Sequence, residues 1–395
     1  MMGYSAIIPG TASWLALIAA SCLSMTALAE LPAMPEPLGK MELPDRPAGE
    51  HWIWIGDFQD GNYGRSILFN ADTGAMLGAI DIGWEGIKLD FPRARREIYN
   101  LAMFMSRGFR GERTDVITTF DKRTLQPQRE LVVPAKGIHG WPDPNHTALS
   151  DDDRFLFMQF LTPAASIGVA DVKAGKYIGE VETTGCAHVM AGGSRRFFTL
   201  CGDGSLLAID LTEEGKEASR KRYRRFFDAN RDPLHGSGMR IGDTWYFVSY
   251  LGQIHPVDVS GPGLKPLATW PVAQKEGRST WIPGAFMQPL ALHAGRGRLY
   301  VAMQLSDLEP KGGGTDYHAE PGTEIWVFDL QSNQRLRRIA TKHPVTHLAV
   351  SQDAAALLYG NGMWDKTVTV YDEATGRALR DIVVQTYPTL LQPVE

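Results

Sequence analysis

Val368-Thr-Val-Tyr-Asp372-Glu-Ala-Thr-Gly376-Arg-Ala-Leu-Arg-Asp-Ile-Val-Val384 reads as a β-branched strand, a short polar turn and a second strand. The same phrase recurs around Asn70, Asp121, Asp171, Asp210, Asp258 and Asp329, giving seven copies in 395 residues. A hairpin of this kind cannot bury its own apolar face, so it must stack on its neighbours. Copies mostly about 40 to 50 residues apart match the blade of a β-propeller. The fold expected is therefore all-β, a seven-bladed β-propeller.

Each copy resolves into strands. In the fourth, Cys186–Met190, Arg196–Cys201 and Ser205–Asp210 read as three strands, with an outer strand near Arg220–Phe226. The first two can form an antiparallel hairpin that sets Cys186 opposite Cys201, close enough for a disulfide. Closing a loop of about 15 residues stabilises by roughly 3 kcal/mol in the chain-entropy picture. The ends of the chain suggest how the ring closes. The first copy has strands at His51–Gly56, Ser66–Phe69 and Met76–Ile82 but none inside them, whereas the last already has four. The spare tail Thr386–Val394 can supply the missing inner strand of blade one and leave no open sheet edge.

Composition narrows the functional classes. A formal net charge of -5 leaves no basic excess for a general nucleic-acid binder. The basic run Arg220–Arg225 reads as a solvated strand face. Trp14–Leu23 is an apolar run too short to span a bilayer, and Ala27-Leu-Ala29 has the small-x-small pattern of a signal cleavage site. No Lys or Arg precedes it. The expected organisation is a signal peptide over residues 1–29, an extended Pro-rich leader over 30–50 and the propeller over 51–395. Export to the periplasm suits the two cysteines that would remain after cleavage. No membrane span is expected.

No constellation makes an active site by itself. His139 and His146 flank Pro142 and Pro144 ahead of Asp151-Asp-Asp153, which suits a turn better than a metal. Asn145-His-Thr147 is a formal glycosylation sequon, and Gly236-Ser-Gly238 lacks the strand-turn-helix setting of a nucleophile elbow. Gln274–Ser279 reads as a polar linker and Lys311-Gly-Gly-Gly-Thr315 as a surface loop without the Lys-Ser/Thr of a phosphate loop. Trp52 and Trp54 suit a strand core. Phe58 and Tyr63, among Gly56, Gly61 and Gly64, suit a loop tip that lines an opening.

Several segments resemble the heavy (large, or α) subunit of the tryptophan tryptophylquinone amine dehydrogenases. They are Gly111-Glu-Arg-Thr-Asp115 ahead of Phe120-Asp121, Ala165-Ser-Ile-Gly-Val169 with Asp171, and Gly185-Cys186 through Cys201-Gly-Asp-Gly-Ser-Leu206. Tyr246-Phe-Val-Ser-Tyr250, Trp281-Ile-Pro-Gly284 and Glu324-Ile-Trp-Val-Phe-Asp329 continue the likeness, which runs from about residue 50 to 384. The segments from Cys186 to Ser219 look closer to aromatic amine dehydrogenase than to methylamine dehydrogenase.

The resemblance implies a periplasmic heterotetramer of two heavy and two light subunits. It places the tryptophan tryptophylquinone and the catalytic base in the light subunit, so no catalytic residue or cofactor is expected in this chain; no metal is expected from its residues either. Electrons would leave to a copper protein (a cupredoxin) or a cytochrome. A heavy-subunit Phe helps gate the substrate channel in the family; its counterpart here is Phe58, with Tyr63 beside it, although Gly61-Asn-Tyr-Gly64 departs from the known loops. Two other readings stay open. A free-standing propeller hydrolase would show a ring of inner-strand ligands, for which His188, His293 and His347 are the candidates. A pure interaction scaffold would share only the fold.

Overall fold

The computed structural model describes residues 42–58, 63–84, 88–137, 143–284, 287–306, 320–362, 364–384 and 387–395. The expected signal peptide, leader residues 30–41, His139 and the Lys311–Thr315 run lie outside them, as do the side chains of Phe58 and Tyr63. Among the described residues the only helix is a single 3-10 turn at Ala294–Arg296, and no helix is long and apolar enough to cross a membrane.

Seven antiparallel sheets follow one another along the chain. Blade one is 52–58, 63–70 and 76–84; blade two is 89–90, 97–105, 113–121 and 127–133; blade three is 147–149, 155–160, 166–171 and 176–182. Blade four is 186–191, 196–201, 206–211 and 217–223, and blade five is 239–241, 244–248, 253–258 and 265–266, with 270–271 added. Blade six is 290–293, 298–306, 322–329 and 335–345, and blade seven is 347–350, 357–361, 367–372 and 378–383. Tyr387–Pro393 returns to the first blade and pairs with its innermost strand, Ile53 facing Pro393 and Phe58 facing Tyr387. This is the closure expected from the spare tail.

Alternation of side chains along each strand explains why the blades stack. In blade seven, Leu348, Val350, Leu358 and Tyr371 pack towards blade six, while Ala349, Tyr359, Val368 and Val370 pack towards blade one. Seven apolar clusters result, one in each seam between successive blades, including the seam that joins the last blade to the first. Burial falls from the middle strands outward: Phe155–Phe160 is wholly buried, whereas the outer strand Glu217–Tyr223 is almost wholly exposed. The basic run is thus a solvated face, with Arg220 paired to Glu217. Trp52 and Trp54 lie in the seam between blades one and two. Leu43, in the stretch read as leader, is buried in the same seam and its N–H reaches the Arg123 carbonyl, so that part of the leader is docked.

The repeated Asp is a turn device. Oδ1 of Asp372 accepts the N–H of Thr375 at 2.7 Å, while the Asp372 carbonyl accepts the N–H of Gly376, whose φ is +75°. Asn70 with Thr73 and Gly74, Asp121 with Thr124 and Leu125, and Asp329 with Ser332 and Asn333 repeat the arrangement. The side chain replaces the backbone partner that the turn removes, and the fifth residue takes the left-handed conformation that closes the hairpin. Asp210 departs from it and binds Arg196 and Ser219 instead. One expectation fails: Gln274–Ser279 is no linker. Gln274–Glu276 pairs with Ser279–Pro283, and the second of these strands extends blade six. Its polarity belongs to an exposed edge hairpin.

Candidate functional site

Antiparallel strands divide the connections between two ends. The links between third and fourth strands lie at one end, closed by Asx turns at Asn70, Asp121, Asp329 and Asp372. Links from second to third strand, and from each blade to the next, lie at the other, which also carries the beginnings of the inner strands. Phe58 ends a second strand and Tyr63 begins a third, so both reach this second end. Backbone pairing sets Phe58 between Gly64 and Tyr387, and Tyr63 opposite Trp84. Tyr387 meets Trp364 edge to face at 5.3 Å, and Trp364 is 65% exposed. A large aromatic side chain in water beside this strand end is the kind of surface that a partner covers.

The disulfide stands at the same end. Cys186 starts the inner strand of blade four, Cys201 ends the next strand, and the two residues are direct cross-strand partners joined by a disulfide.

Nearer the axis, Asp143, His146 and His188 converge. Their donor atoms lie within 4.8 Å of one another, the one such group of three His, Cys, Asp or Glu residues among the described residues. Asp143 Oδ1 accepts the N–H of Asn145 at 2.7 Å and stands 3.5 Å from His188 Nδ1. The His146 and His188 rings lie nearly parallel, 6.0 Å apart. His188 sits in a β-bulge of the inner strand with φ +60°, and its N–H is held by the buried side chain of Gln159. Asn145 ties blade three to its neighbours, its carbonyl accepting from Val189 and its Oδ1 from Gly238. Burial alone would raise the Asp143 carboxyl; the charges of His188 and His146 and the Asn145 N–H outweigh it and hold it below the usual carboxylate range. Burial would lower His188, and the Asp143 carboxylate outweighs that and raises it. Burial pushes His347 down to about 3, against the pull of Asp143, and His235, stacked on Tyr250 at 4.2 Å, down to about 4.

The ring of His188, His293 and His347 does not form. His293 turns to the 3-10 segment, accepting from the Arg296 N–H, with its other nitrogen 3.1 Å from the Asp353 carbonyl. Asp151–Asp153 are spent on structure: Asp151 binds Arg240, Asp152 takes the Ser150 hydroxyl and Asp153 accepts the Arg93 N–H. Asn145 of the sequon is buried. Ser237 donates to the Met287 carbonyl and has no paired base among the described residues. Sequence reasoning passed over Asp143; the signal was its place between Pro142 and Pro144, directly ahead of His146.

The family model described as methylamine dehydrogenase heavy chain matches residues 65–389. The chain is similar to the methylamine dehydrogenase heavy chain of Methylophilus methylotrophus, 30% identical over 284 residues, which cover 70% of this chain and 67% of the relative. To that of Methylorubrum extorquens it is 27% identical over 280 residues, covering 69% and 65%. The matched stretch thus spans about two thirds of these relatives' length. The solved structure of a functionally unknown protein from Desulfotomaculum acetoxidans superposes with a TM-score of 0.57 at 10% identity, over 86% of this chain and 98% of that one, a likeness of fold alone. These relatives are of the methylamine type, and the leaning of Cys186–Ser219 towards the aromatic type draws no support from them. A match that runs from the first blade to the closing strand identifies the whole ring, and the chain belongs to the methylamine dehydrogenase heavy chain family.

Proposed function

We propose that this chain is the non-catalytic heavy subunit of an exported, quinone-dependent amine dehydrogenase, assembled as two heavy and two light subunits. The observation that carries this reading is the family match over residues 65–389. Trp52, Trp54, Trp245, Trp270, Trp281 and Trp326 are buried in blade seams and serve this chain's own packing. The tryptophan tryptophylquinone of the light subunit would supply oxidation of a primary amine to an aldehyde and ammonia. Electrons would then pass to a cupredoxin or cytochrome.

This chain's own part is mechanical and electrostatic. The rim built from the Phe58 strand end, Tyr63, Tyr387 and the exposed Trp364 is the surface offered to the light subunit. Covering it removes water from the pocket between the chains, which strengthens electrostatic contacts there and limits hydrolytic side reactions. Phe58 and Tyr63 line the channel by which the amine enters. The leader and signal call for export, and the Cys186–Cys201 bond suits an oxidising compartment.

The test is co-purification. The chain, expressed with its genomic neighbours, is expected to carry a small Cys-rich partner and a visible quinone absorbance that bleaches on adding amine. A chain that purifies alone and colourless sinks the proposal. A panel of methylamine against arylalkylamines then decides between the amine for which the relatives are named and the aromatic amine suggested by Cys186–Ser219.

A further inference from the structure

We propose that Asp143, His146 and His188 form a binding site for one first-row divalent transition ion of the zinc type, at the axial mouth of the propeller. Two imidazoles and a carboxylate are a borderline donor set, which suits zinc and its neighbours and not calcium or magnesium, whose ligands are oxygens. The geometry is close to what such an ion needs. Zinc bonds of about 2.0–2.2 Å put tetrahedral ligands roughly 3.3–3.5 Å apart. Asp143 Oδ1 and His188 Nδ1 are 3.5 Å apart, and all three donor atoms lie within 4.8 Å. Small side-chain rotations close the rest.

Three features around the group are what a built site requires. First, His188 is held in the left-handed region, in a bulge of the inner strand, by a hydrogen bond from its N–H to Gln159. Conformations of that kind persist where the surroundings over-determine them, and they cluster at ligand clamps. Second, the bend at Asp143 is locked by the Asn145 N–H, and Asn145 is itself locked to blades four and five. The ligands are therefore positioned before any ion arrives. Third, the space is reserved. A Cβ on Gly236 would stand 2.6 Å from His188 Nε2 and 3.1 Å from Asp143 Oδ2, so blade five must present a residue without a side chain. Contributions from blades three, four and five can meet only near the axis, where solvent can supply a fourth ligand. His347, buried on the inner strand of blade seven, has Nε2 without a partner among the described residues and lies within electrostatic reach of Asp143.

The site belongs to the chain and does not depend on its role in an amine dehydrogenase. The purified protein, in its native complex, is stripped with a chelator and titrated with Zn2+ by calorimetry, with Co2+ as a spectroscopic probe and Ca2+ and Mg2+ as controls. One equivalent of Zn2+ is expected, with d–d bands of a nitrogen-containing site for Co2+ and no uptake of Ca2+ or Mg2+. Losing an outer partner of a metal site costs roughly 10–100-fold in affinity, so losing a ligand should cost at least that. Asp143→Asn, His146→Ala and His188→Ala are each expected to weaken Zn2+ by a hundredfold or so. Gly236→Ala, which touches no ligand covalently, should weaken it too. Circular dichroism and the intact disulfide check that each variant is folded. Absence of stoichiometric Zn2+ in the parent protein, or variants that hold Zn2+ as it does, overturns the proposal.

Discussion

Replacing Glu373 by Ala should lower the melting temperature by several degrees, although Glu373 lies within a polar turn. Its side chain is 0% exposed and joins blades six and seven. Arg298 reaches Oε1 at 2.8 Å, Arg337 at 2.9 Å and the Tyr300 hydroxyl at 2.7 Å, and Arg296 binds Oε2. Removing the carboxylate leaves three guanidinium groups facing one another. Breaking a buried pair from one side costs about 3–5 kcal/mol. Each arginine is 25–30% exposed, so water takes up part of the charge and the lower end applies. An unfolding entropy of roughly 2.1 cal/mol/K per residue over about 350 residues gives ~0.7 kcal/mol/K, hence a drop of about 4 °C. Calorimetry at neutral pH measures it, with Glu373→Gln as a milder companion that keeps the shape and the Tyr300 contact.

The pH dependence has a definite sign. Burial alone would raise Glu373, but hydrogen bonds from Tyr300 and Arg298 and the charges of Arg298 and Arg337 outweigh it and hold it below the usual value. Its contribution is therefore complete above the ordinary glutamate pKa of about 4.3 and is lost as pH falls through the lower folded value. The gap between parent and variant should narrow in acid. A Glu373→Ala protein melting within about 1 °C of the parent, or a gap that widens in acid, would refute the reasoning.

Cys186→Ser should cost roughly 3 kcal/mol, a similar drop of about 4 °C, with one free thiol appearing in the folded protein. Gly376→Ala should cost about 1–2 kcal/mol, because φ is +75° and the new Cβ would lie 2.9 Å from Ile339; Asn333→Gly, exposed in the matching turn position at φ +60°, should be neutral or slightly stabilising by denaturant titration. His235, held at about 4, takes its proton in the unfolded chain first, so stability should fall between about pH 6.5 and 4 by up to ~3 kcal/mol, and His235→Phe should flatten that slope in urea titrations. In the assembled enzyme, Phe58→Ala or Tyr63→Ala should change kcat/KM between small and bulky amines without unfolding the ring, while Trp364→Ala should raise the dissociation constant of the light subunit about tenfold or more; unchanged values would remove these residues from the interface.

The ring was legible because its signals are local. A strand, an Asx turn and a left-handed fifth residue write themselves into a short phrase, as at Asp372–Gly376, and the alternation of Val368 and Val370 with Thr369 states which residues face a seam. The Cys186–Cys201 bond followed from hairpin register alone. What escaped was whatever depends on residues far apart in the chain. Glu373 has the look of a solvated turn residue, and the approach of Arg296, Arg298 and Arg337 from the preceding blade gives its carboxylate partners. Asp143, His188 and Gly236 meet because three blades share an axis, and no spacing rule encodes that meeting. Gln274–Ser279 misled because the polarity of an exposed edge hairpin equals that of a linker.

The pairing of Ile53 with Pro393 also sets an order of events. During synthesis the strand that pairs with Trp52–Phe58 emerges after every other strand of the ring, so until then that strand carries an open edge. The strand end at Phe58 is paired by Tyr387, a residue of that same late strand. If a partner chain reads the rim at that strand end, as proposed above, it would also read completeness: a truncated or half-folded chain would lack the surface, and assembly would act as the checkpoint for the finished ring.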